Sequence, residues 1–462
     1  MDNMIYSFLS SLKDKKIALI GIGRSNLPLI SLFSSYNAKV VACDRRSYDE
    51  LGEYAKLAEE SGAVLSLGEN YLKNLNVDIV LRTPGMKYFL DELVQMRSNG
   101  VVVTSEMELF FDLCPCPIIA ITGSDGKTTT TTIVAEILKK SGKTVHLGGN
   151  IGKPLLPDIE KIKPTDIAVV ELSSFQLISM RKSPDVAVVT NIEPNHLDVH
   201  KDMQEYIDSK KNVIAHQNAF SKAVLNADNM LSNSFSDEVR GQLRKFSRKT
   251  DVYNGCYLDG DKIIYSEFSN KTEIMRISDI KIPGMHNVEN FMTAICAVWG
   301  LVDVDTIVEV AKTFGGVAHR AEFVRELDGV RYYNDSIASS PTRTSSGTLS
   351  LYDEKIILIC GGYDKNLDYT DLGAKICDKV KELVLLGATA DKIETAVKSC
   401  EKFADCGINI HRVSSMEQAV KKSYELAKNG DIVSMSPASA SFDMYKDFEA
   451  RGNHFKQLVN EL

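Results

Sequence analysis

Short apolar runs alternate with helical patterns along the whole chain. In the first third, an apolar run over 16–23 precedes a helical pattern over 27–36 and a strand pattern over 39–43, with further strands near 78–81 and 101–103. Apolar runs of this length, bounded by turn residues, are typical of buried strands, and their alternation with helices is typical of βα units. The pattern therefore predicts an α/β fold.

Two further blocks repeat this alternation. The middle block has predicted strands over 166–170 and 185–190, a β-rich stretch over 252–282 and a helix after Gly284, and the last block has strands near 355–360, 382–386 and 431–435. Two prolines in the stretch 113–117 favour a linker between the first two blocks. A chain of 462 residues exceeds one hydrophobic core. We predict three domains, over residues 1–111, 112–315 and 316–462.

Composition narrows the class of protein. The chain is 44% hydrophobic and 25% charged, enough to fill several cores, and its net charge of -8 argues against general nucleic-acid binding. The nine cysteines include no Cys-x-x-Cys pair, and Cys114-Pro115-Cys116 fits a linker better than a metal site. No signal peptide or membrane span is recognisable, so we expect a cytoplasmic protein that has no membrane partner.

The stretch 118–130 carries the clearest chemistry. A buried strand runs into Gly123, Ser124, Asp125 and Gly126, followed by Lys127 and a helix that begins with threonines, including Thr128 and Thr129. Glycines let backbone N–H groups close on phosphate oxygens, the lysine reaches the outer phosphates and the threonine hydroxyl can bind Mg²⁺. The usual motif has a glycine where Ile121 stands, so an ordinary turn is the alternative interpretation.

A second Gly-rich loop follows the first predicted strand. It contains Gly21, Gly23, Arg24 and Ser25, with Asn26 in place of a third glycine, and Asp44 ends the next strand. This arrangement fits a dinucleotide fold with Asp44 on a ribose, a diphosphate site with Arg24 as counter-charge, or a tight turn without a ligand.

Polar residues follow two predicted strands of the middle block. Glu171 comes directly after the apolar run 167–170, and His196 lies in a polar stretch after the strand that ends at 190. Ligands of open α/β sheets bind beyond the carboxyl ends of strands, and carboxylate oxygens suit Mg²⁺. We predict metal ligation by both residues, with a hydrogen-bonded structural histidine as the alternative for His196.

Taken together, the motifs resemble those of the Mur ligases over nearly the whole chain. The matching stretches are TPG at 83–85, the phosphate loop, GGNIG at 148–152, ELSSFQL at 171–177, NHLD at 195–198, GMHNVEN at 284–290, HR at 319–320, NDS at 334–336, GGYDK at 361–365 and SPASAS at 436–441. The family tolerates the shortened phosphate loop. The resemblance implies a Rossmann-like N-terminal domain, a central P-loop ATPase-type domain and a C-terminal Rossmann-like domain.

Within the family, ELSSFQL and the last two motifs are similar to the ligase that adds D-glutamate to UDP-N-acetylmuramoyl-L-alanine in peptidoglycan precursor synthesis. The resemblance implies that the substrate carboxylate attacks the γ-phosphate of ATP, and that the amine of D-glutamate then displaces phosphate from the acyl phosphate. It implies a substrate loop rather than a dehydrogenase site at 21–26. The UDP-substrate residues implied are Gly23, Arg24, Ser25, Asp44, Arg45, Arg46, Thr83 and Asn150.

The resemblance also assigns the ATP and metal sites. ATP would contact Gly123, Ser124, Asp125, Gly126, Lys127, Thr128, Thr129, Asn287, Asn290, Arg320 and Asp335. Two Mg²⁺ ions would be held by Thr128, Glu171, His196 and a carbamylated lysine at Lys210, with Lys211 as the alternative position. Lys127, Glu171, His196 and Lys210 are the implied catalytic residues.

The amino-acid substrate rests most on the resemblance. D-glutamate would contact Ser339, Lys365, Ser441 and the backbone near Phe448, and Ile337 stands where some members have a lysine. We expect a monomer whose third domain closes on the ATP site. Two alternatives stay open, namely another ligase of the superfamily, such as a folylpolyglutamate synthase, and a non-catalytic nucleotide-binding regulator.

Overall fold

A computed structural model of the chain describes residues 3–23, 25–194, 199–268 and 270–462. It divides into two compact units. The first runs to Asp279 and includes Val288–Ala311, and the second comprises Ile280–Asn287 and Lys312–Leu462. None of the helices in these described ranges is both long and apolar enough to cross a membrane.

The first unit begins with a five-stranded parallel sheet of strand order β3-β2-β1-β4-β5. Its strands are β1 (Lys16–Ile20), β2 (Lys39–Asp44), β3 (Val64–Leu67), β4 (Ile79–Leu81) and β5 (Val102–Thr104), and its helices are α1 (Asn3–Ser11), α2 (Leu27–Ser35), α3 (Tyr48–Leu51), α4 (Glu53–Glu60), α5 (Asp91–Ser98) and α6 (Glu106–Leu113). Four of the five residues of β1 are buried. Both faces of a parallel sheet are usually covered by helices, which explains the continuous apolar run of this strand.

The same unit contains a nine-stranded sheet of order β14-β13-β12-β11-β10-β9-β6-β8-β7. Its strands are β6 (Ile118–Thr122), β7 (Val145–Gly149), β8 (Ile167–Glu171), β9 (Val186–Val189), β10 (Lys222–Asn226), β11 (Gln242–Ser247), β12 (Asn254–Asp259), β13 (Lys262–Glu267) and β14 (Asn270–Arg276). Pairing is parallel from β7 to β12, and β12, β13 and β14 pair antiparallel. The β-rich end confirms the sequence prediction for that stretch.

Helices cover this second sheet. They are α7 (Lys127–Lys140), α8 (Ser174–Leu177), α9 (Met203–Ala215), α10 (Met230–Ser234), α11 (Met285–Val298) and α12 (Val304–Thr313). The carboxylate of Asp202 caps α9 by accepting from Glu205 N at 2.9 Å. Tyr206 and Lys210 are both buried, and because they lie four residues apart they share one face of α9.

The second unit has a six-stranded sheet of order β15-β16-β20-β17-β18-β19. Its strands are β15 (Glu322–Leu327), β16 (Val330–Asn334), β17 (Ile356–Cys360), β18 (Val380–Leu385), β19 (Asn409–Arg412) and β20 (Ile432–Met435), and its helices are α13 (Pro341–Ser346), α14 (Thr370–Lys379), α15 (Ala390–Lys398), α16 (Phe403–Cys406), α17 (Met416–Leu426) and α18 (Phe448–Glu461). Asp328 and Gly329, both at positive φ, turn the β15–β16 hairpin, and the other strand pairs are parallel. Three parallel-rich sheets confirm the α/β prediction, whereas the exact domain boundaries stay a prediction.

Candidate active site

The phosphate loop joins β6 to α7 through two glycines at positive φ, Gly123 (148°) and Gly126 (76°). A Cβ on Gly123 would lie 1.8 Å from Thr190 Oγ1, and a Cβ on Gly126 would lie 2.4 Å from Asn290 Oδ1. Both positions therefore require glycine on conformational and steric grounds. The close approach also places the Asn290 side chain at the start of α7.

Residues after β9 hold the loop in shape. Asn191 Oδ1 accepts from the backbone N–H groups of Ser124 at 3.1 Å and Asp125 at 2.9 Å, and Thr190 Oγ1 donates to Asp125 O at 2.6 Å. These contacts fix the loop before any ligand arrives. Sequence reasoning placed Asn191 only at the start of a polar stretch that could bind a second metal ion, because a side chain that braces a distant loop has no local signature.

The N-terminus of α7 faces the same loop. The first N–H groups of a helix have no partner inside the helix and lie at the positive end of its dipole. Lys127 Nζ donates to Ser124 O at 2.8 Å, so the lysine lies along the loop. The loop, helix start and ammonium group together form a site suited to anionic phosphates.

Glu171 ends β8 next to this helix start and is only 1% exposed. Its Oε2 accepts from Thr128 Oγ1 at 2.7 Å, and its Oε1 accepts from Asn150 Nδ2 at 2.7 Å. Both hydrogen bonds come from neutral groups, and together they orient the carboxylate. The structure thus brings together three residues that the sequence analysis placed in the site.

Lys210 is buried beside the same loop, with 2% of its surface exposed. Its Nζ donates to Gly123 O at 2.7 Å and lies 4.7 Å from the centre of the Tyr206 ring. Burial, reinforced by the charge of Lys127 and opposed by Glu171 and Asp125, lowers the pKa of Lys210 to about 7. A large fraction of this amine is therefore unprotonated and nucleophilic near neutral pH.

The neighbouring Lys211 lies in a different environment. Its ammonium group pairs with Glu238 at 2.8 Å and the side chain is 30% exposed. The two lysines are one residue apart on α9, so they point in directions about 100° apart. Of the two sequence candidates, Lys210 is the one that reaches the phosphate loop.

A buried histidine that sequence reasoning missed supports this region. His200 stacks on Phe175 at 4.9 Å, and its ring nitrogens lie 2.8 Å from Ser174 Oγ and 3.0 Å from Glu205 Oε1. Its ring also packs edge-on against Tyr206, whose hydroxyl lies 2.8 Å from Ser124 Oγ. His200 therefore links α8, α9 and the phosphate loop. The predicted ligand His196 lies outside the described residues.

The loop after β1 is organised by Asp44. Its carboxylate accepts from Ile22 N at 2.8 Å and from Arg46, whose guanidinium is 2.9 Å away. Burial alone would raise the pKa of Asp44, but the hydrogen bonds from Arg46 and Ile22 lower it overall. Oδ2 of Asp44 thus braces the loop, while Oδ1 accepts from Arg46 N at 2.9 Å and Arg46 Nε at 3.0 Å, and this full set of partners disfavours the free ribose-binding carboxylate of the dinucleotide hypothesis.

Other residues assigned to this loop have mixed exposure. Ser25 and Arg45 are exposed, Gly23 is half-buried, and Arg24 lies outside the described residues. Thr83 packs against the loop, since a Cβ on Gly21 would lie 3.2 Å from its side chain. The buried Asn26, which the sequence analysis treated only as a missing glycine, donates to Ile20 O at 2.8 Å.

Arg82, directly before Thr83, is a further buried residue that the sequence analysis missed. It is 1% exposed, and its Nη2 donates to Ser179 Oγ at 2.6 Å and to Phe175 O at 3.0 Å. The guanidinium thereby ties the end of β4 to the segment that follows Glu171. Within the first unit, this bond connects the two sheets.

In the second unit, Asp335 is buried at the end of β16. It accepts from the hydroxyl groups of Thr348 and Ser436 and from Ala321 N. Burial raises the pKa of Asp335, while these hydrogen bonds and the charge of Arg320 act in the opposite direction. Asn287, also of this unit, donates to Pro283 O at 2.6 Å.

Arg451 organises the loops that the sequence analysis assigned to the amino-acid substrate. It is 1% exposed, and its guanidinium donates to Ser336 O at 2.9 Å, Ser439 O at 3.1 Å and Ala440 O at 2.9 Å. Its Nε also donates to Ser336 Oγ at 3.0 Å. Sequence reasoning missed it, because a helical arginine normally indicates a solvated surface.

The remaining assigned residues of this unit surround those loops. Ser441 is buried, Ser339 and Phe448 are half-buried and Lys365 is exposed. Ser336 Oγ donates to Phe448 O at 2.7 Å, which joins the NDS motif to the start of α18. Ile337, where some relatives have a lysine, donates its backbone N–H to His319 O at 3.1 Å.

Within the part of the chain that is described, no three His, Cys, Asp or Glu side chains converge as a metal site. The described side chains at the phosphate loop include the hydroxyl of Thr128 and the carboxylate of Glu171, which share a hydrogen bond. Hydroxyl and carboxylate oxygens are ligands that Mg²⁺ prefers. The residues present therefore fit Mg²⁺ as part of a larger ligand set.

Comparison with known proteins gives consistent matches. Residues 121–298 match the Mur ligase middle domain, and residues 319–439 match the Mur ligase glutamate ligase domain. The UDP-N-acetylmuramoylalanine--D-glutamate ligases of Acetivibrio thermocellus and Clostridium novyi are 51% and 46% identical to the chain, with 100% of each chain covered.

Solved structures agree at the level of the fold. UDP-N-acetylmuramate-alanine ligase MurC from Thermotoga maritima superimposes with a TM-score of 0.58 at 17% identity, covering 97% of this chain and 99% of that one. A UDP-N-acetylmuramoyl-L-alanyl-D-glutamate--2,6-diaminopimelate ligase gives a TM-score of 0.58 at 18% identity, with 92% of each chain covered. Both confirm the three-domain α/β architecture.

Proposed function

The chain belongs to the Mur ligase family, and on that premise we propose that it is an ATP-dependent ligase that adds D-glutamate to UDP-N-acetylmuramoyl-L-alanine. Its full-length relatives carry this activity in their name. The observation that carries the proposal is the arrangement of Lys127, Thr128, Glu171 and Lys210 around one glycine-rich loop. This arrangement provides both positive charge and oxygen ligands beside a phosphate site.

ATP binds with its phosphates on the loop and on the start of α7. Gly123 and Gly126 let the chain close on the phosphates, and Lys127 neutralises charge that develops on the transferred phosphoryl group. Asn287, Asn290, Arg320 and Asp335 complete the nucleotide site in this proposal. The position of Asn290 beside Gly126 supports its part in it.

We assign the metal site to Thr128, Glu171, His196 and Lys210. These residues would hold two Mg²⁺ ions, which supply positive charge beside the phosphates. Asn150 and Thr128 orient the Glu171 carboxylate, a supporting role that metal ligands commonly require.

Lys210 enters this set as a carbamate. The ammonium group first loses one proton to solvent. Carbon dioxide then adds to the neutral amine, a C–N bond forms and a second proton leaves, so that an anionic oxygen ligand replaces the original cation. The lowered pKa of about 7 supports this step, because the nucleophile is the neutral amine. Since Lys211 is ion-paired with Glu238, it would have to break that pair to react.

The reaction proceeds in two displacements. The terminal carboxylate of the muramoyl substrate attacks the γ-phosphorus of ATP, and ADP leaves. The amine of D-glutamate then attacks the acyl carbon, and the C–O bond to phosphate breaks. Because a carboxylate is a poor acylating agent, ATP supplies the leaving group, and the residues described here position the reactants and neutralise charge.

The two remaining subsites follow the same assignment. The UDP substrate is bound by Gly23, Arg24, Ser25, Asp44, Arg45, Arg46, Thr83 and Asn150. D-glutamate is bound by Ser339, Lys365, Ser441 and the backbone near Phe448, with the exposed Lys365 available for its distal carboxylate. Arg451 supports this second subsite, since it holds the loops at Ser336 and Ala440 together.

We propose that the enzyme works as a cytoplasmic monomer. Every residue assigned to the three substrates lies on this one chain, and all nine cysteines are free thiols. Light scattering with and without substrates tests this proposal. We expect the mass of one chain, 51.1 kDa, in both conditions, and twice that mass would contradict the monomer.

Amino-acid-dependent ADP release tests the function most directly. The purified enzyme is given ATP, Mg²⁺ and UDP-N-acetylmuramoyl-L-alanine with D-glutamate, L-glutamate, L-lysine or diaminopimelate in separate reactions. We expect D-glutamate alone to support rapid turnover, with Lys127→Ala inactive but folded. Turnover with L-lysine or diaminopimelate instead would reassign the chain within the family, and ATP binding without turnover would favour a regulator.

A further inference from the structure

Two thiols lie side by side in the segment that connects the first two sheets. Cys114 follows the last residue of α6, Pro115 comes next, and Cys116 lies two residues before β6. Their sulfur atoms are 3.5 Å apart. Cys114 is half-buried and Cys116 is buried, so reagents can reach the pair from the Cys114 side.

The charges around the pair differ for the two thiols. A hydrogen bond from the Cys116 thiol lowers the pKa of Cys114, helped by the charge of Lys182 and opposed by burial and by Asp185. The same hydrogen bond, together with burial and the charge of Asp166, raises the pKa of Cys116. Cys114 is the more exposed of the two thiols, so it is the one that attacks an incoming disulfide, and the buried Cys116 is the one that resolves it.

We propose that Cys114 and Cys116 form a dithiol modification site that reacts reversibly with low-molecular-weight disulfides. The site is separate from the ligase chemistry and rests on the sulfur geometry of the connecting segment. Its reaction partner is a small disulfide of the glutathione type, and its product is an intramolecular Cys114–Cys116 disulfide.

The exchange balances without any further reagent. The Cys114 thiolate attacks one sulfur of the small disulfide, which forms a mixed disulfide and releases one small thiolate. Cys116 loses its proton to solvent and attacks Cys114 Sγ, which releases the second small thiolate. Two electrons pass from the protein to the small disulfide, and an excess of small thiol reverses both steps.

The geometry of the segment permits the second step. A disulfide requires the sulfur atoms to approach to about 2.0 Å, so the pair closes by roughly 1.5 Å. Cys114 lies outside the regular part of α6 with extended backbone angles (φ -60°, ψ 121°), which leaves its side chain able to turn.

The other cysteines include a further cluster, in which the buried Cys377 hydrogen-bonds to the half-buried Cys400 and Cys406. Cys43 and Cys360 are buried, and burial raises the pKa of each thiol to about 12. Cys400 is half-buried like Cys114 and lies beside the buried Cys377, which makes it a control for both exposure and a neighbouring thiol. Cys400→Ser therefore tests whether any half-buried thiol with a thiol neighbour reacts in the same way.

Oxidised glutathione and intact-protein mass spectrometry test the proposal. The folded wild type is incubated with oxidised glutathione, and peptide mapping after alkylation locates each modified thiol. We expect a loss of two hydrogen masses that maps to Cys114 and Cys116, is abolished in Cys114→Ser and is unchanged in Cys400→Ser. In Cys116→Ser we expect a stable glutathione adduct on Cys114, and circular dichroism checks that each variant is folded.

Two results would overturn the proposal. One is a wild type in which Cys114 and Cys116 stay reduced while Cys400 is modified. The other is a stable Cys114–glutathione adduct in the wild type itself, which would show that Cys116 does not resolve it. Addition of dithiothreitol must return the wild type to its reduced mass, and failure to do so would contradict reversibility.

Discussion

Two buried cations, Lys210 in the first unit and Arg451 in the second, have the same exposure but opposite surroundings. They are 2% and 1% exposed. The Lys210 amine donates to Gly123 O at 2.7 Å and, over a long distance of 3.4 Å, to Thr122 Oγ1, whereas Arg451 donates four hydrogen bonds of 2.9–3.1 Å. The two residues are therefore buried to nearly the same extent, but Arg451 donates more hydrogen bonds than Lys210.

Proton affinity separates the two residues further. Burial lowers the pKa of Lys210 to about 7 and that of Arg451 to about 10. Near neutral pH the lysine exchanges its proton, while the guanidinium stays charged. A buried amine that has few hydrogen bonds and exchanges its proton near neutral pH is suited to a chemical reaction. A buried guanidinium that has many hydrogen bonds and stays charged is suited to holding loops in place.

The largest expected effect is on turnover in Lys210→Ala. We expect kcat to fall by about 10² to 10³-fold, because the variant loses a charged group beside the transferred phosphoryl group. A short-chain carboxylate such as propionate is expected to restore part of the activity by occupying the vacated volume. ADP release in steady state measures both effects.

Lys211→Ala is the matched control for that variant. Its amine pairs with Glu238 near the surface, so we expect turnover close to that of the wild type. If Lys211→Ala were the inactive variant, the assignment of the two lysines would have to be exchanged.

Arg451→Met is expected to act on stability first. Removal of the guanidinium leaves the carbonyl groups of Ser336, Ser439 and Ala440 buried without their donor, and we expect a loss of about 3 kcal/mol in the free energy of unfolding. Arg325→Met is the control, since Arg325 donates to Val459 O and Asn460 O from a half-buried position. Chemical denaturation that showed equal losses for both variants would refute the special role of Arg451.

Lys365 is an exposed cation and extends the comparison to substrate binding. We expect Lys365→Ala to raise the KM for D-glutamate by about 10 to 100-fold, since loss of a charged hydrogen-bond partner costs roughly 1.5 to 3 kcal/mol. The KM for ATP is expected to change little. Lys398→Ala is the control, because the exposed amine of Lys398 pairs with Glu394, and we expect neither KM to change in that variant. A larger effect on ATP than on D-glutamate would move Lys365 out of the amino-acid subsite.

The smallest effect is a pH-dependent difference in stability between the wild type and Lys210→Met, measured in CO₂-free buffer. The pKa of Lys210 is about 7 in the folded chain and near its ordinary value of 10.5 in the unfolded chain. At a pH between these two values, the unfolded chain therefore binds more protons at this residue than the folded chain does. The free energy of unfolding of the wild type therefore rises relative to the variant, by about 1.5 kcal/mol from pH 7 to 8.5. The difference in the free energy of unfolding between the wild type and Arg451→Met is expected to stay constant from pH 7 to 8.5. If the difference for Lys210→Met were also constant, it would contradict the lowered pKa of Lys210.

Local patterns in the sequence were sufficient to predict the fold class and the residues at strand ends. The apolar run before Gly123 and the run before Glu171 carry their own signal, since a strand and its polar end are contiguous. The spacing of Tyr206 and Lys210 also predicts a shared helix face. The motif resemblance supplied the family, which the comparisons confirm.

Long-range contacts could not be predicted in the same way. Asn191 accepts from the phosphate loop, and His200 packs against Tyr206, which contacts that loop. Arg451 donates to Ser336, which lies 115 residues earlier in the chain. Their side-chain types are equally common on surfaces, so nothing local distinguishes them. Such residues become visible only when the fold brings their partners together.

The most direct test of the Lys210 assignment is carbon-13 NMR of the enzyme equilibrated with ¹³C-labelled bicarbonate. The account predicts a slowly exchanging carbamate signal in the wild type and in Lys211→Ala, and its absence in Lys210→Ala. Arg451→Met, where it folds, is expected to keep the signal, because that residue belongs to the other unit. A fully active wild type without the signal, or a signal that persists in Lys210→Ala, would contradict the account.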